Sequence, residues 1–368
     1  MRAGGAWRGG TSRADSPSMR LACLVLLTGC GLSSGDQPSP DVFARDCIQT
    51  IDTGPTLPNG PIAIVLTSAC SDASMIDNLQ IYDNVLESVT SFTQAGAKYH
   101  RARIADLDNS GGVETLGLVD DTLSYVAWNG ITEPRPTRVD YARPFEDLQV
   151  ADLDRDHHAD VVVAGDGAIR VTLGTGTLPS AVAATDEQVL LSGKPFRAVA
   201  IAPTGELYYL AQKHDEDPVE IGVAHATSMS PPTYAVTEST MDAGGPVRQL
   251  VLADVDGDGV LDAIGLTSHV FVRSSRTGTV SFLPEAALAI AAGDNDADGV
   301  REPLFLAADG ASVRRVRIAS DGSLTSEHVL DVHAQALAVG DFDANGIADI
   351  ATVDRLGRAT SAVSVYRF

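Results

Sequence analysis

One acidic nine-residue pattern recurs along the chain and constrains the fold more than any other feature. Copies begin at residues 106, 152, 254, 294 and 341, with Asp at positions 1 and 3, Asp, Asn or Ser at position 5, and Asp or Glu at position 9. Position 6 is Gly in four copies and His157 in the other. The intervals are 46, 102, 40 and 47 residues. A pattern with such a period indicates a repeat architecture.

Two further units lack the acidic pattern. The interval of 102 residues leaves room for one unit, and residues 196–211 keep an apolar approach, a turn and an apolar exit. A step of about one period back from Asp106 reaches residues 60–72, another apolar strand that enters a polar turn. The sequence therefore predicts seven units, which start near residues 60, 106, 152, 201, 254, 294 and 341.

The segments around the acidic patterns have the composition of short strands. Runs such as "DVVVAG" and "DAIGLTS" are rich in aliphatic and β-branched residues and are bounded by Asp, Gly and Asn. Their near-continuous apolar character predicts burial on both faces. Four such strands per unit, repeated radially, predict an all-β chain folded as a seven-bladed β-propeller over residues 46–368. The final "SAVSVYRF" is typical of a third strand, and we expect residues 42–51 to supply the missing fourth.

The acidic pattern has the composition of a calcium loop between two strands. Carboxylates at alternating positions can face one centre, Gly at position 6 permits a sharp bend, and Ca²⁺ takes six to eight oxygen ligands. The Glu at position 12 of an EF-hand is absent. The alternative is that Asp and Gly form solvated turns, but five copies in register favour up to five structural Ca²⁺ ions. The predicted ligands are Asp106, Asp108, Ser110, Glu114, Asp152, Asp154, Asp156, Asp160, Asp254, Asp256, Asp258, Asp262, Asp294, Asp296, Asp298, Glu302, Asp341, Asp343, Asn345 and Asp349.

The copies differ in how well they match this pattern. The Asp254 loop is the best predicted site and the Asp294 loop the second. For the loop that contains Ser110, metal binding and a simple turn are equally supported. His157 stands where Gly belongs and would strain a left-handed backbone position. The unit near residue 201 holds Ala202, Thr204 and Glu206 in the ligand register, and we expect no metal there.

The acidic loops and their period resemble FG-GAP/VCBS repeats, as in the integrin α-subunit propeller and many bacterial surface proteins. The resemblance covers residues from about 60 to 368. It implies that the acidic positions given above are calcium ligands. Some propellers with these repeats resemble polysaccharide lyases, so the resemblance also leaves an enzyme open.

The N-terminal region is typical of an exported lipoprotein. Residues 1–18 fit neither a signal nor a domain and are interpreted as a non-native extension ahead of a true start at Met19. Residues 19–29 combine Arg20 with a short apolar run and are the predicted signal peptide. "LTGC" resembles a bacterial lipobox, which makes Cys30 the predicted lipidation site; a secretory signal with an incidental Cys is the alternative. Residues 30–45 are predicted to be a flexible tether. The predicted location is the cell envelope, with the outer membrane favoured.

Charge and cysteine content fit this placement. The chain carries a net charge of −23, and residues 1–29 contribute +3, so the processed chain would carry −26. This acidity argues against nucleic acid as a partner. Export would expose Cys47 and Cys70 to an oxidising compartment, which makes a disulfide between them possible; two buried thiols are the alternative.

No catalytic motif stands out. The sequence contains no metalloprotease, nucleophile-elbow or P-loop motif, and its eight His residues are scattered. We therefore expect a lipid-anchored module that binds a protein or a glycan, as in adhesion. The alternative is a polysaccharide-acting, lyase-like enzyme built on the same propeller.

Overall fold

The computed structural model describes part of the chain, which divides into two compact units, residues 1–37 and residues 38–368. The first unit, with the predicted extension, signal and Cys30, lies outside the described residues. The described residues are 40–45, 48–55, 62–68, 78–82, 88–93, 99–107, 109, 114–119, 122–127, 137–140, 145–176, 187–229, 232–242, 244–319, 322–355 and 361–368. Within these ranges no helix is present, so none is long and apolar enough to cross a membrane.

The described residues form strands that pair antiparallel with their neighbours in the chain. The first two sheets contain β2 (Ile48–Pro55), β3 (Ile62–Ser68), β4 (Asn78–Tyr82) and β5 (Ser88–Thr93), then β6 (Tyr99–Ala105), β7 (Glu114–Val119), β8 (Thr122–Ala127) and β9 (Thr137–Asp140). The next two contain β10 (Asp147–Ala151), β11 (Asp160–Gly165), β12 (Ala168–Thr172) and β13 (Gln188–Ser192), then β14 (Phe196–Ile201), β15 (Leu207–Ala211), β16 (Val219–Met229) and β17 (Pro232–Met241).

A seven-stranded sheet follows, and one long strand connects its two halves. Its strands are β18 (Gln249–Ala253), β19 (Asp262–Leu266), β20 (His269–Arg273), β21 (Val280–Gly293), β22 (Glu302–Ala307), β23 (Ser312–Ile318) and β24 (Leu324–Asp331). The first part of β21 pairs with β20, and its second part pairs with β22. Two four-stranded meanders therefore share β21.

The last sheet contains both ends of the described chain. Its strands are β25 (Ala336–Gly340), β26 (Asp349–Arg355), β27 (Ser361–Tyr366) and β1 (Asp41–Arg45). β1 pairs antiparallel with β27, from Asp41 opposite Val365 to Arg45 opposite Ser361. An N-terminal strand was predicted to complete this sheet, and the pairing confirms it. The strand occupies the end of the expected tether, residues 30–45, and residues 48–51 belong instead to β2.

The hydrophobic core lies between neighbouring sheets. Strands near the middle of each sheet, such as β11 and β19, are buried along their whole length, whereas the outer strand β17 is mostly exposed and is buried only at its two ends. Phe271 of β20 packs in one cluster with Tyr208 of the preceding sheet. A Cβ on Gly265 would lie 2.0 Å from the Phe271 ring, so this ring needs glycine opposite it.

The sheets surround a common cavity of about 400 Å³. Its lining includes residues from β2, β6, β10, β14, β18, β21 and β25, the first strand of each four-stranded set. Ile51 of β2 borders it, so β2 is the first strand of its sheet and the apolar segment 62–68 is the second. The prediction that this segment is the first strand of its unit is therefore wrong. This unit has no acidic loop that would mark the end of its first strand.

Candidate metal centres

The acidic patterns connect the first and second strands of five units. They run from β6 to β7, from β10 to β11, from β18 to β19, from β21 to β22 and from β25 to β26. Each described loop has the same backbone shape. Position 4 has a positive φ in all five, at Asn109, Arg155, Gly257, Ala297 and Ala344, with φ between 54° and 72°.

Position 6 is the second left-handed residue of each loop for which it is described. Gly259, Gly299 and Gly346 have φ between 82° and 89°, and His157 has φ of 71°. The strained backbone expected for His157 is therefore present. Two left-handed residues separated by one residue reverse the chain sharply, so that backbone N–H groups point toward the inside of the turn.

The position-1 aspartate holds this backbone. In the Asp254 loop, Oδ1 accepts the N–H of Asp258 at 3.2 Å and Oδ2 accepts the N–H of Gly259 at 2.8 Å. The same two bonds, from positions 5 and 6, recur with Asp152, Asp294 and Asp341 as acceptors. The first aspartate is thus an N-cap-like acceptor for the loop as well as a candidate ligand.

The position-9 carboxylate links the loop to the sheet. In the Asp254 loop, Asp262 accepts the N–H of Val255 at 3.1 Å through Oδ2 and the N–H of Ser275 at 2.8 Å through Oδ1. Asp160 and Asp349 make the equivalent pairs of bonds. All three carboxylates are almost fully buried, with 0 to 1% of each residue exposed.

Burial of these carboxylates is electrostatically unfavourable. Desolvation raises the pKa of Asp160, Asp262 and Asp349 to about 6, although the backbone donors oppose the change, and the nearby carboxylates add to it. A buried anion of this kind needs a compensating positive charge. Among the described residues no salt bridge joins these three side chains to Lys, Arg or His, so no protein cation of that part of the chain compensates their charge.

Four loops gather carboxylate oxygens around a common centre. In each group, the ligand atoms lie within 4.8 Å of one another. This separation fits a Ca²⁺ ion, because two oxygens on opposite sides of the ion would be roughly 4.8 Å apart at about 2.4 Å each. The groups are Asp152, Asp154 and Asp160; Asp254, Asp256 and Asp262; Asp294, Asp296, Asp298 and Glu302; and Asp341, Asp343 and Asp349.

Position 5 differs from the other predicted ligands. Among the described aspartates at position 5, Asp298 alone joins the group of clustered carboxylate oxygens. The side chains of Asp156, Asp258, Asp298 and Asn345 all accept the N–H of the residue two positions later, at 2.7 to 2.9 Å. In these loops the side chain at position 5 stabilises the turn.

An arginine side chain from a neighbouring strand contacts the Asp294 cluster. Nη1 of Arg315, on β23, lies 2.5 Å from Asp296 Oδ2 and 3.4 Å from Glu302 Oε1. The Arg315 contact lowers the pKa of Asp296, whereas desolvation raises that of Glu302. This guanidinium would compete with a metal ion for two of the four carboxylates. The sequence could not show it, because Arg315 lies outside the pattern on another strand.

The Asp106 loop is described only in part. Asp106 is half-buried and Asn109 is exposed, whereas Asp108 and Ser110 lie outside the described residues. Glu114 begins β7. Cys47 and Cys70 also lie outside the described residues; Ile48, next to Cys47, and Ser68, two residues before Cys70, pair directly between β2 and β3.

The unit near residue 201 has a tight turn in place of the acidic loop. The N–H of Ala202 donates to the carbonyl of Glu206 at 2.9 Å, and the N–H of Gly205 donates to the carbonyl of Ala202 at 2.8 Å. Thr204 Oγ1 donates to Glu206 Oε2 at 2.8 Å. The ligand register is therefore replaced by a hairpin turn.

Neighbouring loops contact one another on one rim. Asn109 Nδ2 donates to the carbonyl of His157 at 3.1 Å, and Arg155 donates to the carbonyl of Thr204 at 2.7 Å. The N–H of Ala348 donates to the carbonyl of Asp294 at 2.6 Å. An ion bound in one loop would therefore order a segment that also positions the next loop.

Comparison with known proteins finds solved structures with a similar fold. No family model and no curated protein matches the chain. The solved structures that resemble it include chains from the crystal structures of BBS1N in complex with ARL6DN soaked with mercury (TM-score 0.57, 11% identity, 88% of this chain and 96% of that chain covered) and with lead (0.55, 11%, 90% and 97%). The streptogramin B lyase structure has a TM-score of 0.53 at 11% identity and covers 89% of this chain and 98% of its own. These structures are β-propeller-like, and together with the sheet order around one cavity they show that this chain has a β-propeller fold.

Proposed function

We propose that the protein is a calcium-stabilised, seven-bladed β-propeller that is exported, lipid-anchored and used to bind a protein or a glycan. The sheet order supports seven blades. Five sheets have four strands each, and the seven-stranded sheet contains two further four-stranded sets that share β21. The resemblance of the loops to FG-GAP/VCBS repeats supports the choice of calcium. The sequence around Cys30 supports the lipid anchor.

The observation that carries the calcium proposal is the repetition of one acidic cluster in four loops. Each cluster combines a position-1 carboxylate that fixes the loop, a position-3 carboxylate, and a buried position-9 carboxylate that accepts the backbone N–H of position 2. Hard carboxylate oxygens suit Ca²⁺, and a flexible set of oxygens suits it better than the strictly octahedral Mg²⁺. Bound ions would supply the positive charge that the buried carboxylates require.

The role of these ions would be structural. Each one would hold the turn between the first and second strands of a blade. With about 1 mM Ca²⁺ and a dissociation constant of about 0.1 mM, each site would add roughly 1.4 kcal/mol to the free energy of unfolding. Five ions would change the charge of the processed chain from −26 to about −16.

Calorimetric titration of metal-free protein tests this proposal. We expect several equivalents of Ca²⁺ to bind and the melting temperature to rise. The Asp256→Asn variant should bind one equivalent of Ca²⁺ fewer, because it lacks one carboxylate of the Asp254 cluster. Asp256 is exposed, so the substitution leaves the core intact. Asp242→Asn is the matched control, since Asp242 is exposed and lies outside every cluster. Protein that binds no Ca²⁺ at millimolar concentration would refute the proposal.

The binding role is supported by the contacts between neighbouring loops on one rim. Such a rim is a rigid support for exposed side chains. Calcium-loaded protein on a glycan array and against purified envelope proteins should show saturable binding to one class. Release of shortened glycans would instead identify the polysaccharide-acting enzyme, and absence of both results would remove the binding proposal.

A further inference from the structure

The central cavity is lined by hydrogen-bond donors, although the chain as a whole is strongly acidic. Its described lining includes Arg101, Arg103 and Arg301 but only one carboxylate, Asp147. The acidic loops do not contribute their carboxylates to this lining. Charge is therefore separated between an acidic rim and a basic centre.

The single carboxylate is fully used by protein donors. Asp147 Oδ1 accepts the N–H of Leu148 at 2.9 Å and Nε of Arg101 at 3.3 Å, and Oδ2 accepts the N–H of Val199 at 3.0 Å. Asp147 is 3% exposed. It ties neighbouring sheets together and has little capacity left to accept from a ligand.

The glutamines of the cavity also present donors. Gln249 Oε1 accepts the N–H of Ile290 at 2.9 Å, and Gln149 Oε1 accepts Nε of Arg103 at 3.4 Å. With each amide oxygen engaged, the NH₂ group is the part left for a ligand. The polar lining is therefore rich in donors and poor in acceptors.

Arg301 is the least compensated of these groups. Nη2 donates to the carbonyl of Ala292 at 3.0 Å, and no carboxylate of the described residues pairs with this guanidinium. Arg301 is an exposed residue that also borders the cavity, and its guanidinium stays charged at all relevant pH values. An anionic ligand in the cavity would pair with this charge.

The donors are distributed along the cavity. Arg301 lies at the end of the Asp294 loop, directly before β22, whereas Arg101 lies near the start of β6. Nη2 of Arg101 donates to the carbonyl of Arg248, next to β18, at 2.9 Å. A volume of about 400 Å³ lies within the range of small-molecule sites. We propose that this cavity binds an elongated organic anion with at least two oxyanion groups, such as a dicarboxylate, with Arg301 and Arg101 as the charged donors and the NH₂ group of Gln249 as a neutral one.

Isothermal titration at 1 mM Ca²⁺ with succinate, glutarate, adipate and inorganic sulfate tests this inference. We expect saturable 1:1 binding of at least one dicarboxylate, with sulfate weaker. Arg301→Gln should weaken binding by about tenfold or more, since a hydrogen bond to a charged group contributes at least that much. Arg276→Gln is the matched control, because Arg276 is exposed and lies outside the cavity.

Two further measurements keep the result interpretable. Arg301→Lys should keep part of the affinity, and the melting temperatures of both Arg301 variants should match the wild type, because Arg301 forms one carbonyl contact only. A crystal soaked in a brominated dicarboxylate should show anomalous density in the cavity. Binding that is equal in Arg301→Gln and Arg276→Gln, density only on the outer surface, or no binding at 10 mM of any probe (about 1,000-fold weaker than a 10 μM site) would overturn the proposal. None of these results depends on how many Ca²⁺ ions bind.

Discussion

The response to pH should reverse when calcium is removed. The three buried position-9 carboxylates have folded-state pKa values raised to about 6 from the ordinary aspartate value of 3.8. A raised pKa means that ionisation destabilises the folded state. This cost is fully present above pH 7, and it decreases as the pH falls through 6 toward 4. Calcium-free protein should therefore be more stable at pH 5 than at pH 7.5.

The size of this effect follows from linkage. Between pH 7.5 and pH 5, a group with these two pKa values gains about 1.4 kcal/mol of folded-state stability, or about 4 kcal/mol for three independent groups. Other carboxylates that are stabilised by folding act in the opposite direction, so about 4 kcal/mol is an upper value. Calcium-loaded protein should lose stability over the same interval, because its ligands must be deprotonated.

Differential scanning calorimetry of dialysed protein, with and without 1 mM Ca²⁺, measures both responses. The variant that combines Asp160→Asn, Asp262→Asn and Asp349→Asn is the control. At pH 5 it should be less stable than the wild type, since each Asn can accept only one of the two backbone N–H groups, and its calcium-free pH response should largely disappear. A calcium-free wild-type protein that melts higher at pH 7.5 than at pH 5 would refute the reasoning.

Three other predictions concern individual residues. His157→Gly should stabilise the protein by about 1 kcal/mol in urea denaturation, because glycine adopts the left-handed backbone of position 157 without strain. The φ of His158 is not positive, so His158→Gly should destabilise the protein. Equal effects of the two substitutions would contradict this reasoning. Arg315→Gln should lower the melting temperature of calcium-free protein but increase the shift on adding calcium, since Asp296 and Glu302 lose their internal cation; a smaller calcium shift than in the wild type would exclude such competition. Non-reducing peptide mapping of exported protein should recover Cys47 joined to Cys70, because Ile48 and Ser68 pair directly; alkylation of both thiols without reduction would show that they are free.

The repeated features of the fold could be predicted from sequence because their causes are local. β11 and β19 are short apolar runs, and the acidic loops that precede them mark the end of each first strand. The strain at His157 followed from the need for glycine at position 6. Position 4 escaped notice because four different residue types, Asn109, Arg155, Gly257 and the alanines, adopt the same left-handed backbone there.

The features that sequence reasoning missed depend on contacts between units. β2 has mixed polarity and no acidic loop after it, so only its place at the cavity identifies it as a first strand. Arg315 approaches the Asp294 cluster from a third strand, and no spacing rule relates the two. Arg101 and Arg301 lie far apart in the chain and line the same cavity only because the sheets surround one centre.

The shared strand β21 has a consequence for how the molecule can open. Its fourteen residues pass from one four-stranded set to the next without an intervening loop, and the pairing changes from β20 to β22 within two residues, at Ala286 and Ala287. The ladder is interrupted on both sides of this junction, because the register shifts between His269 and Phe271 of one pairing and between Ala287 and Ala289 of the other. The two sets are therefore joined by a continuous backbone rather than by a loop, and a change of the angle between them would have to bend β21 at these interruptions.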